Sequence, residues 1–317
     1  MKSRFILSAA LCAGLCCQAQ TQQGAFGFGG NQQSQTQAQY SQKMADINYV
    51  GDDQAYHTMD VYLPKVEKEK YPVVVHIYGS AWFSNSSKGT ADINTICAAL
   101  LEAGYAVVTP NHRSSFDAKY PAQINDIKAV VRYLRAHAGE LHLDASFIGT
   151  SGFSSGAHLA SLMATSNGVR YGRCGEAEMD LEGTLGDCLA YSSHVDACCE
   201  WSGPVDLLNM DCDGVAKDPN SPEVAVMGMP KEGNEDSYSL LNSVYYIDPQ
   251  DVPIGIFHGI KDNVVPHCQS ERFHDALVQA GVPTFLVSPS EGGHGFNMYS
   301  PENLQKMVEW FDAARKK

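Results

Sequence analysis

Short apolar runs alternate with helix-like stretches along most of the chain, and this alternation is typical of a mostly parallel sheet covered by helices on both faces. The apolar runs predict strands at residues 47–50, 59–63, 71–77, 105–110, 147–150, 195–201, 252–257 and 282–287. Stretches with helical character predict helices at residues 93–102, 126–136, 157–164 and 302–314. The pattern therefore indicates an α/β domain.

Two segments interrupt this alternation. Residues 166–191 are rich in Gly, Glu, Asp and Cys and show no period, and residues 209–242 are irregular as well. The first segment follows a predicted strand–helix unit, at a place where long loops often control access to a functional site. We therefore predict an irregular, cap-like insertion there.

The amino-terminal region differs in composition from the rest. Residues 1–19 have two early basic residues, an apolar stretch and small residues at the end, which predicts a secretory signal peptide. Residues 20–43 are mainly Gln, Gly, Ser and Thr and predict a disordered tether, so that the folded domain spans residues 44–317. We expect export to the periplasm or the medium, with lipid attachment at Cys16 or Cys17 as the less favoured alternative.

The formal net charge is −14. Nucleic acids and anionic membrane surfaces would repel such a protein. We therefore expect neither nucleic acid binding nor membrane insertion.

A pentapeptide at residues 152–156 has the pattern G-x-S-x-G and lies between a predicted strand and a predicted helix. In that context the glycines permit a sharp turn, which holds the central serine out at the end of the sheet. The position of Ser154 therefore predicts a nucleophile, whereas a plain Gly/Ser loop is the structural alternative.

A serine nucleophile needs a histidine as base and a carboxylate to orient that histidine. Asp262 follows the predicted strand 252–257, and His294 lies in a glycine-rich loop after the strand 282–287. The order Ser, Asp, His along the chain suits this arrangement. His258 and His267 flank the aspartate and are interpreted as structural, which leaves Ser154, His294 and Asp262 as the predicted triad.

Hydrolysis of an acyl group also needs two backbone N–H groups that stabilise the oxyanion. We expect one from Ser155, the residue after the nucleophile, and one from Ser80 or Ala81 after the strand 71–77. The neighbouring Trp82 and Phe83 are candidate substrate contacts, although large apolar residues are equally typical of a core.

The sequence resembles secreted bacterial esterases of the α/β-hydrolase superfamily, the group that includes acetyl xylan esterases and feruloyl esterases. The likeness extends from about Ile47 to Phe311. The segments that carry it are residues 126–136, 203–207 and 258–266. Two motifs depart from the usual family pattern, with Tyr-Gly-Ser-Ala-Trp at residues 78–82 and Gly-Phe-Ser-Ser-Gly-Ala at residues 152–157.

This resemblance implies an α/β-hydrolase fold and a serine esterase that removes acetyl or feruloyl groups from plant polysaccharide fragments, without a cofactor. The substrate would be a small-molecule or oligosaccharide ester. A peptidase of the prolyl-oligopeptidase type and a general short-chain carboxylesterase are the alternatives. A binding protein on an inactive hydrolase scaffold would lack a triad member, and none is missing here.

Cysteines are the remaining candidates for special chemistry. Their spacing does not suit zinc, and we expect no metal. Because an exported protein meets an oxidising compartment, we predict at least one disulfide within the loop-rich group Cys174, Cys188, Cys198, Cys199 and Cys212. We interpret Cys97 and Cys268, in helix-like segments, as buried thiols.

Overall fold

A computed structural model describes residues 37–212 and 220–316. Its main sheet has eight strands in the order β1, β2, β4, β3, β5, β8, β9, β10. These strands are β1 (Tyr40–Asn48), β2 (Thr58–Pro64), β3 (Tyr71–Ile77), β4 (Ala106–Pro110), β5 (Leu143–Phe153), β8 (Ala197–Trp201), β9 (Ile254–Phe257) and β10 (Thr284–Val287). β1 and β2 pair antiparallel, as do β2 and β4, while all other neighbours are parallel. The prediction of a mostly parallel sheet is therefore confirmed.

Helices cover both faces of this sheet. They are α1 (Ile96–Glu102), α2 (Ala122–Ala136), α3 (Ser155–Thr165), α4 (Pro222–Met227), α5 (Glu235–Ser239), α6 (Cys268–Ala280) and α7 (Pro301–Arg315). Side chains of β3 alternate between the two faces, because successive residues of a strand point in opposite directions. Val73 and Val75 belong to the core under α2, α3 and α6, whereas Val74 belongs to the core under α1 and α7.

The structure departs from the predicted boundaries in three places. β1 begins at Tyr40, so residues 40–43, which we assign to the tether, pair with β2. The segment 166–191 contains a hairpin of β6 (Tyr171–Cys174) and β7 (Ala177–Asp180). The segment 209–242, which lacks a clear period, contains the short helices α4 and α5. Such short elements carry too few residues for a periodic signal.

Ion pairs with two buried cations of α2 attach the insertion 166–191 to that helix. The Lys128 Nζ lies 3.4 Å from Glu182 Oε2, and the Arg132 Nη1 lies 2.5 Å from Glu182 Oε1. Asn125 of α2 also donates hydrogen bonds to the carbonyls of Asp180 and Leu181. These contacts hold the insertion on α2. They give no support to a cap over the site.

The prediction that a disulfide joins two cysteines of the loop-rich group was wrong, because the bond includes only one of them. Cys212 is bonded to Cys268, the first residue of α6, with a Cα–Cα distance of 6.4 Å. Cys174, Cys188, Cys198 and Cys199 are free, as is the buried Cys97. The pairing depends on the packing of residues 202–212 against α6, which no local spacing reveals.

The signal peptide predicted at residues 1–19 lies outside the described residues, as does most of the tether. No helix within residues 37–212 and 220–316 is long and apolar enough to cross a membrane.

Candidate active site

The turn between β5 and α3 places Ser154 at the end of the sheet. Its backbone has φ 55° and ψ −124°, a conformation that L-residues rarely adopt. A Cβ atom on Gly152 would lie 2.3 Å from the carbonyl oxygen of Gly156, and one on Gly156 would lie 2.1 Å from that of Ile77. Only glycine fits at these two positions, so the G-x-S-x-G pattern has the physical cause that the sequence predicts.

Three side chains from different strand ends meet at this turn. The Ser154 Oγ lies 3.0 Å from the His294 Nε2, and the His294 Nδ1 lies 2.8 Å from the Asp262 Oδ2. A carboxylate only accepts hydrogen bonds, so Nδ1 carries the hydrogen and Nε2 accepts from the serine hydroxyl. The structure thus brings the three predicted residues into one hydrogen-bonded chain.

Asp262 is held from several directions. Its carboxyl group is buried, and its Oδ1 accepts hydrogen bonds of 2.9 Å from the backbone N–H groups of Val264 and Val265. Burial raises the pKa of this carboxyl, but hydrogen bonds from His258 and His294 outweigh that effect and hold the pKa well below its usual range. Asp262 is therefore ionised at neutral pH.

His258 has a closer relation to the triad than the sequence indicates. Its buried ring lies between β9 and α6, with Nε2 3.2 Å from the Asp262 Oδ2 and 2.9 Å from the carbonyl oxygen of Val265. Since both neighbours are acceptors, Nε2 carries a hydrogen. His258 thus donates a hydrogen bond to the Asp262 carboxylate. His267 instead forms a hydrogen bond with Ser288.

The turn after β3 approaches the start of α3. The Ser80 N–H donates to the Ser155 Oγ at 2.9 Å. The N–H groups of Ala81 and Ser155 have no hydrogen-bond acceptor among the described residues. The backbone of Ala81 has φ 51°. Of the two candidates, Ala81 therefore has the unengaged backbone donor, and Ser80 fixes the turn to α3.

The two aromatic residues of this turn have different environments. Trp82 is 2% exposed and packs against the His158 ring at 5.3 Å, which favours the alternative that it belongs to the core. Phe83 is half-buried and stacks on Phe116, with ring centroids 5.4 Å apart and planes inclined by 25°. Phe116 is 78% exposed, more than any other large apolar side chain in the described part of the chain. Sequence reasoning missed Phe116, because it lies in a loop with no predicted strand or motif beside it.

No group of three or more His, Cys, Asp or Glu side chains in residues 37–212 and 220–316 is arranged to hold a metal ion. The expectation that the protein uses no metal and no cofactor stays a prediction.

Solved structures with similar folds include two carbohydrate esterases. One is a truncated carbohydrate esterase from gut microbiota, 40% identical, with a TM-score of 0.86 over 89% of this chain and 99% of that one. The other is a bifunctional GH43-CE protein of Bacteroides eggerthii, 45% identical, with a TM-score of 0.83 over 86% of this chain and 35% of that one.

Esterase LipQ of Mycobacterium tuberculosis is 27% identical over 223 residues, which cover 70% of this chain and 49% of LipQ. The chain thus spans about half the length of this relative. The fold has the sheet order expected of an α/β-hydrolase and the sharp turn at Ser154 between β5 and α3. A family model described as BD-FAE matches residues 59–277, more than half of the chain, and the chain therefore belongs to the BD-FAE family.

Proposed function

We propose that the protein is a serine carboxylic-ester hydrolase that works through an acyl-enzyme. The observation that carries this proposal is the hydrogen-bonded chain from Ser154 through His294 to Asp262, beside the unengaged N–H groups of Ala81 and Ser155. A nucleophile with an oriented base and two adjacent backbone donors is the equipment that acyl transfer requires.

In the first half of the reaction, the Ser154 oxygen attacks the ester carbonyl while its proton passes to the His294 Nε2. The carbonyl oxygen gains negative charge, which the N–H groups of Ala81 and Ser155 stabilise. Asp262 remains ionised and stabilises the imidazolium, because its low pKa prevents it from taking the proton. The imidazolium then protonates the leaving alcohol as the carbon–oxygen bond breaks.

In the second half, water attacks the acyl-enzyme while His294 takes one of its protons. The same two N–H groups stabilise the second oxyanion. Collapse of that intermediate releases the acid and returns the proton from His294 to the Ser154 oxygen.

The substrate we propose is an acetyl or feruloyl ester on a carbohydrate. The names of the two similar carbohydrate esterases support this choice. The stacked pair of Phe83 and Phe116 supports it as well, because it offers an apolar surface two residues from Ala81, on which a sugar ring or an aromatic acyl group could lie. We propose further that the protein is exported, as the composition of residues 1–19 predicts.

The experiment that tests the mechanism is the capture of the acyl-enzyme. The purified protein is mixed briefly with p-nitrophenyl acetate, quenched in acid and digested. The masses of the peptides are then measured by mass spectrometry. An acetyl group on the peptide that contains Ser154, absent in Ser154→Ala, is the expected result. Turnover without any adduct, or an adduct that persists in Ser154→Ala, would contradict the mechanism.

The substrate class is tested on the same preparation with acetylated xylo-oligosaccharide, methyl ferulate, a long-chain acyl ester and a prolyl peptide anilide. We expect the highest kcat/KM for one of the first two. A tenfold lead for the long-chain ester, about 1.4 kcal/mol of transition-state preference, would favour a general esterase, and one for the anilide would favour a peptidase.

A further inference from the structure

A line of buried polar groups reaches Asp262 from the interior of the protein. Its first member is His258, whose Nε2 faces the Asp262 carboxylate. The His258 Nδ1 lies 2.7 Å from the Ser270 Oγ of α6, and that oxygen lies 3.3 Å from the Glu200 Oε1 of β8. Glu200, His258 and Ser270 are each 0% exposed. The other Glu200 oxygen, Oε2, accepts a hydrogen bond of 2.8 Å from the Gly203 N–H.

The number of hydrogens in this line is limited. The His258 Nδ1 and the Glu200 Oε1 both face the Ser270 hydroxyl, which has one hydrogen to donate. If His258 were neutral and Glu200 ionised, one of these two buried acceptors would have no donor. Buried polar groups without a partner are rare because they lose their bonds to water without replacement. One additional proton removes the conflict.

That proton has two possible positions. On His258 Nδ1 it would create a cation next to the Asp262 Oδ2, the oxygen that His294 also contacts. On Glu200 it lets the carboxyl group donate to Ser270, and Ser270 donate to a neutral His258. The second position leaves the charge of Asp262 for the imidazolium that forms on His294, so it suits the reaction better.

The surroundings of Glu200 favour the second position. Burial raises the pKa of Glu200 to about 7, although the facing His258 ring and the hydrogen bonds from Gly203 and Ser270 lower it. The other titratable groups nearby are the thiols Cys198 and Cys199 on β8, whose pKa values burial raises, and His267 at the start of α6, whose pKa burial lowers. All three are therefore uncharged at neutral pH, which leaves Asp262 as the ionised group that faces the His258 ring.

We propose that Glu200, Ser270 and His258 form a positioning chain that retains one proton and thereby keeps a neutral imidazole against the Asp262 carboxylate. When the chain loses its proton, the Ser270 hydroxyl turns to Glu200, and His258 loses the partner that orients its ring. The position of Asp262 then becomes less defined. The retained proton is a property of the fold, whereas its effect on turnover rests on the proposed ester hydrolysis.

The retained proton is tested without any substrate. Glu200→Gln keeps the size of the side chain and supplies an N–H for Ser270 and a carbonyl for Gly203, but it cannot ionise. Wild type and variant are unfolded in urea from pH 4 to pH 9. Because the folded wild type binds the proton more tightly than the unfolded chain, rising pH destabilises it relative to the variant.

We expect the ratio of the two unfolding constants to change by up to about tenfold per pH unit between pH 4.5 and about 7 and to level off above that. Glu102→Gln, an exposed carboxyl on α1, is the matched control and should follow wild type. Parallel stability curves for wild type and Glu200→Gln would overturn the proposal, whatever the protein hydrolyses.

The positioning role is tested by ester hydrolysis from pH 6 to pH 10. We expect kcat of wild type to decline above about pH 7 and the decline to move to higher pH in Glu200→Gln. Asp251→Asn is the control, since burial also raises the pKa of Asp251 to about 7 but this residue lies before β9, at the opposite end from Asp262. Ser270→Ala should lower kcat about tenfold and change KM less than twofold, because Ser270 contacts no substrate.

Coincident pH profiles for wild type and Glu200→Gln would overturn the positioning role, as would a Ser270→Ala variant that changes KM alone. If wild type hydrolyses no ester at all, the proposed function fails, and the unfolding experiment still decides whether the chain retains its proton.

Discussion

The side of the site that holds Asp262 and His294 is buried and closely hydrogen-bonded, whereas the side that carries Phe83 and Phe116 is exposed and apolar. Asp262 accepts bonds from two backbone N–H groups and contacts two imidazoles. Phe116 contacts one other ring and is otherwise in solvent. His294 contacts Ser154, and Phe116 stacks on Phe83 in the turn after β3.

The difference separates two functions of the site. A buried, hydrogen-bonded carboxylate can hold one geometry during proton transfer, and such order is what the chemical step needs. An exposed ring on a loop makes no contribution to that step and becomes useful when a ligand covers it. We therefore assign reactivity to the interior side and the choice of substrate to the exposed side.

The interior side is tested most severely by Asp262→Asn. The asparagine amide can donate a hydrogen to His294 Nδ1, which favours the tautomer whose Nε2 cannot accept the serine proton. We expect kcat to fall by roughly 10³- to 10⁴-fold, with little change in KM. Steady-state kinetics on p-nitrophenyl acetate measure this, with Asp251→Asn as the control. A loss of less than tenfold would mean that Asp262 does not orient the base.

The sequence allowed prediction of the triad because each member follows an apolar strand in a parallel sheet. The carboxyl ends of such strands lie at one edge, so Ser154, Asp262 and His294 had to be near one another once the strands were identified. Gly152 and Gly156 added a steric requirement that is visible within the five residues 152–156. Local patterns were sufficient for this part of the site.

Glu200 and Ser270 could not be predicted in the same way. Glu200 lies within a buried strand and Ser270 within a helix, and they meet only because α6 packs on that face of the sheet. Cys212 and Cys268 likewise meet through a distant contact, the packing of residues 202–212 against α6. The position of Trp82 beside a functional turn left open whether it contacts a ligand or belongs to the core, and its packing against His158 of α3 favours the core. Contacts between distant segments carry no local signal.

Removal of the disulfide tests how much the region around α6 contributes to stability rather than to turnover. Cys212 and Cys268 are 56 residues apart in the sequence, so their bond restricts the unfolded chain considerably. Cys268→Ser should lower the free energy of unfolding by about 2–4 kcal/mol while most of the turnover remains. Urea unfolding with and without reductant measures this. The matched control is Cys188→Ser, a free cysteine, and equal stability of the two variants would argue against the bond.

A smaller effect is expected in the insertion, where Glu182 pairs with the buried Lys128 and Arg132. Burial raises the pKa of Glu182, but both cations outweigh it and the net pKa is lowered, so the stabilisation is present at neutral pH and disappears as pH falls below about 4.5. Glu182→Gln should cost about 2 kcal/mol at pH 7 and leave kcat/KM unchanged.

Glu178→Gln is the control for this change, because its partner Arg173 and Glu178 itself are largely exposed and such pairs contribute little. Urea unfolding at pH 7 and pH 4 measures both variants. A loss of turnover in Glu182→Gln would show that the insertion does reach the site and would restore the prediction of a cap.

The exposed side is tested by Phe116→Ala, for which we expect the smallest free-energy change. The loop that carries this ring is fixed, since the Ser115 N–H donates to the Trp82 carbonyl at 2.7 Å and the Asp117 Oδ2 accepts from Ser114 and Asn85. The ring is therefore held in solvent by hydrogen bonds of its own loop. Removal of the ring should not disturb the fold.

We expect Phe116→Ala to lower kcat/KM for acetylated xylo-oligosaccharide about tenfold more than for p-nitrophenyl acetate, which is about 1.4 kcal/mol of binding that only the sugar provides. Phe116→Trp should restore the preference, because a larger ring offers the same kind of surface. Tyr191→Ala, which removes a 47% exposed ring from the insertion, is the control and should affect both substrates equally. If Phe116→Ala lowers kcat/KM equally for both substrates, the ring contributes to the chemical step. The assignment of substrate choice to the exposed side would then be wrong.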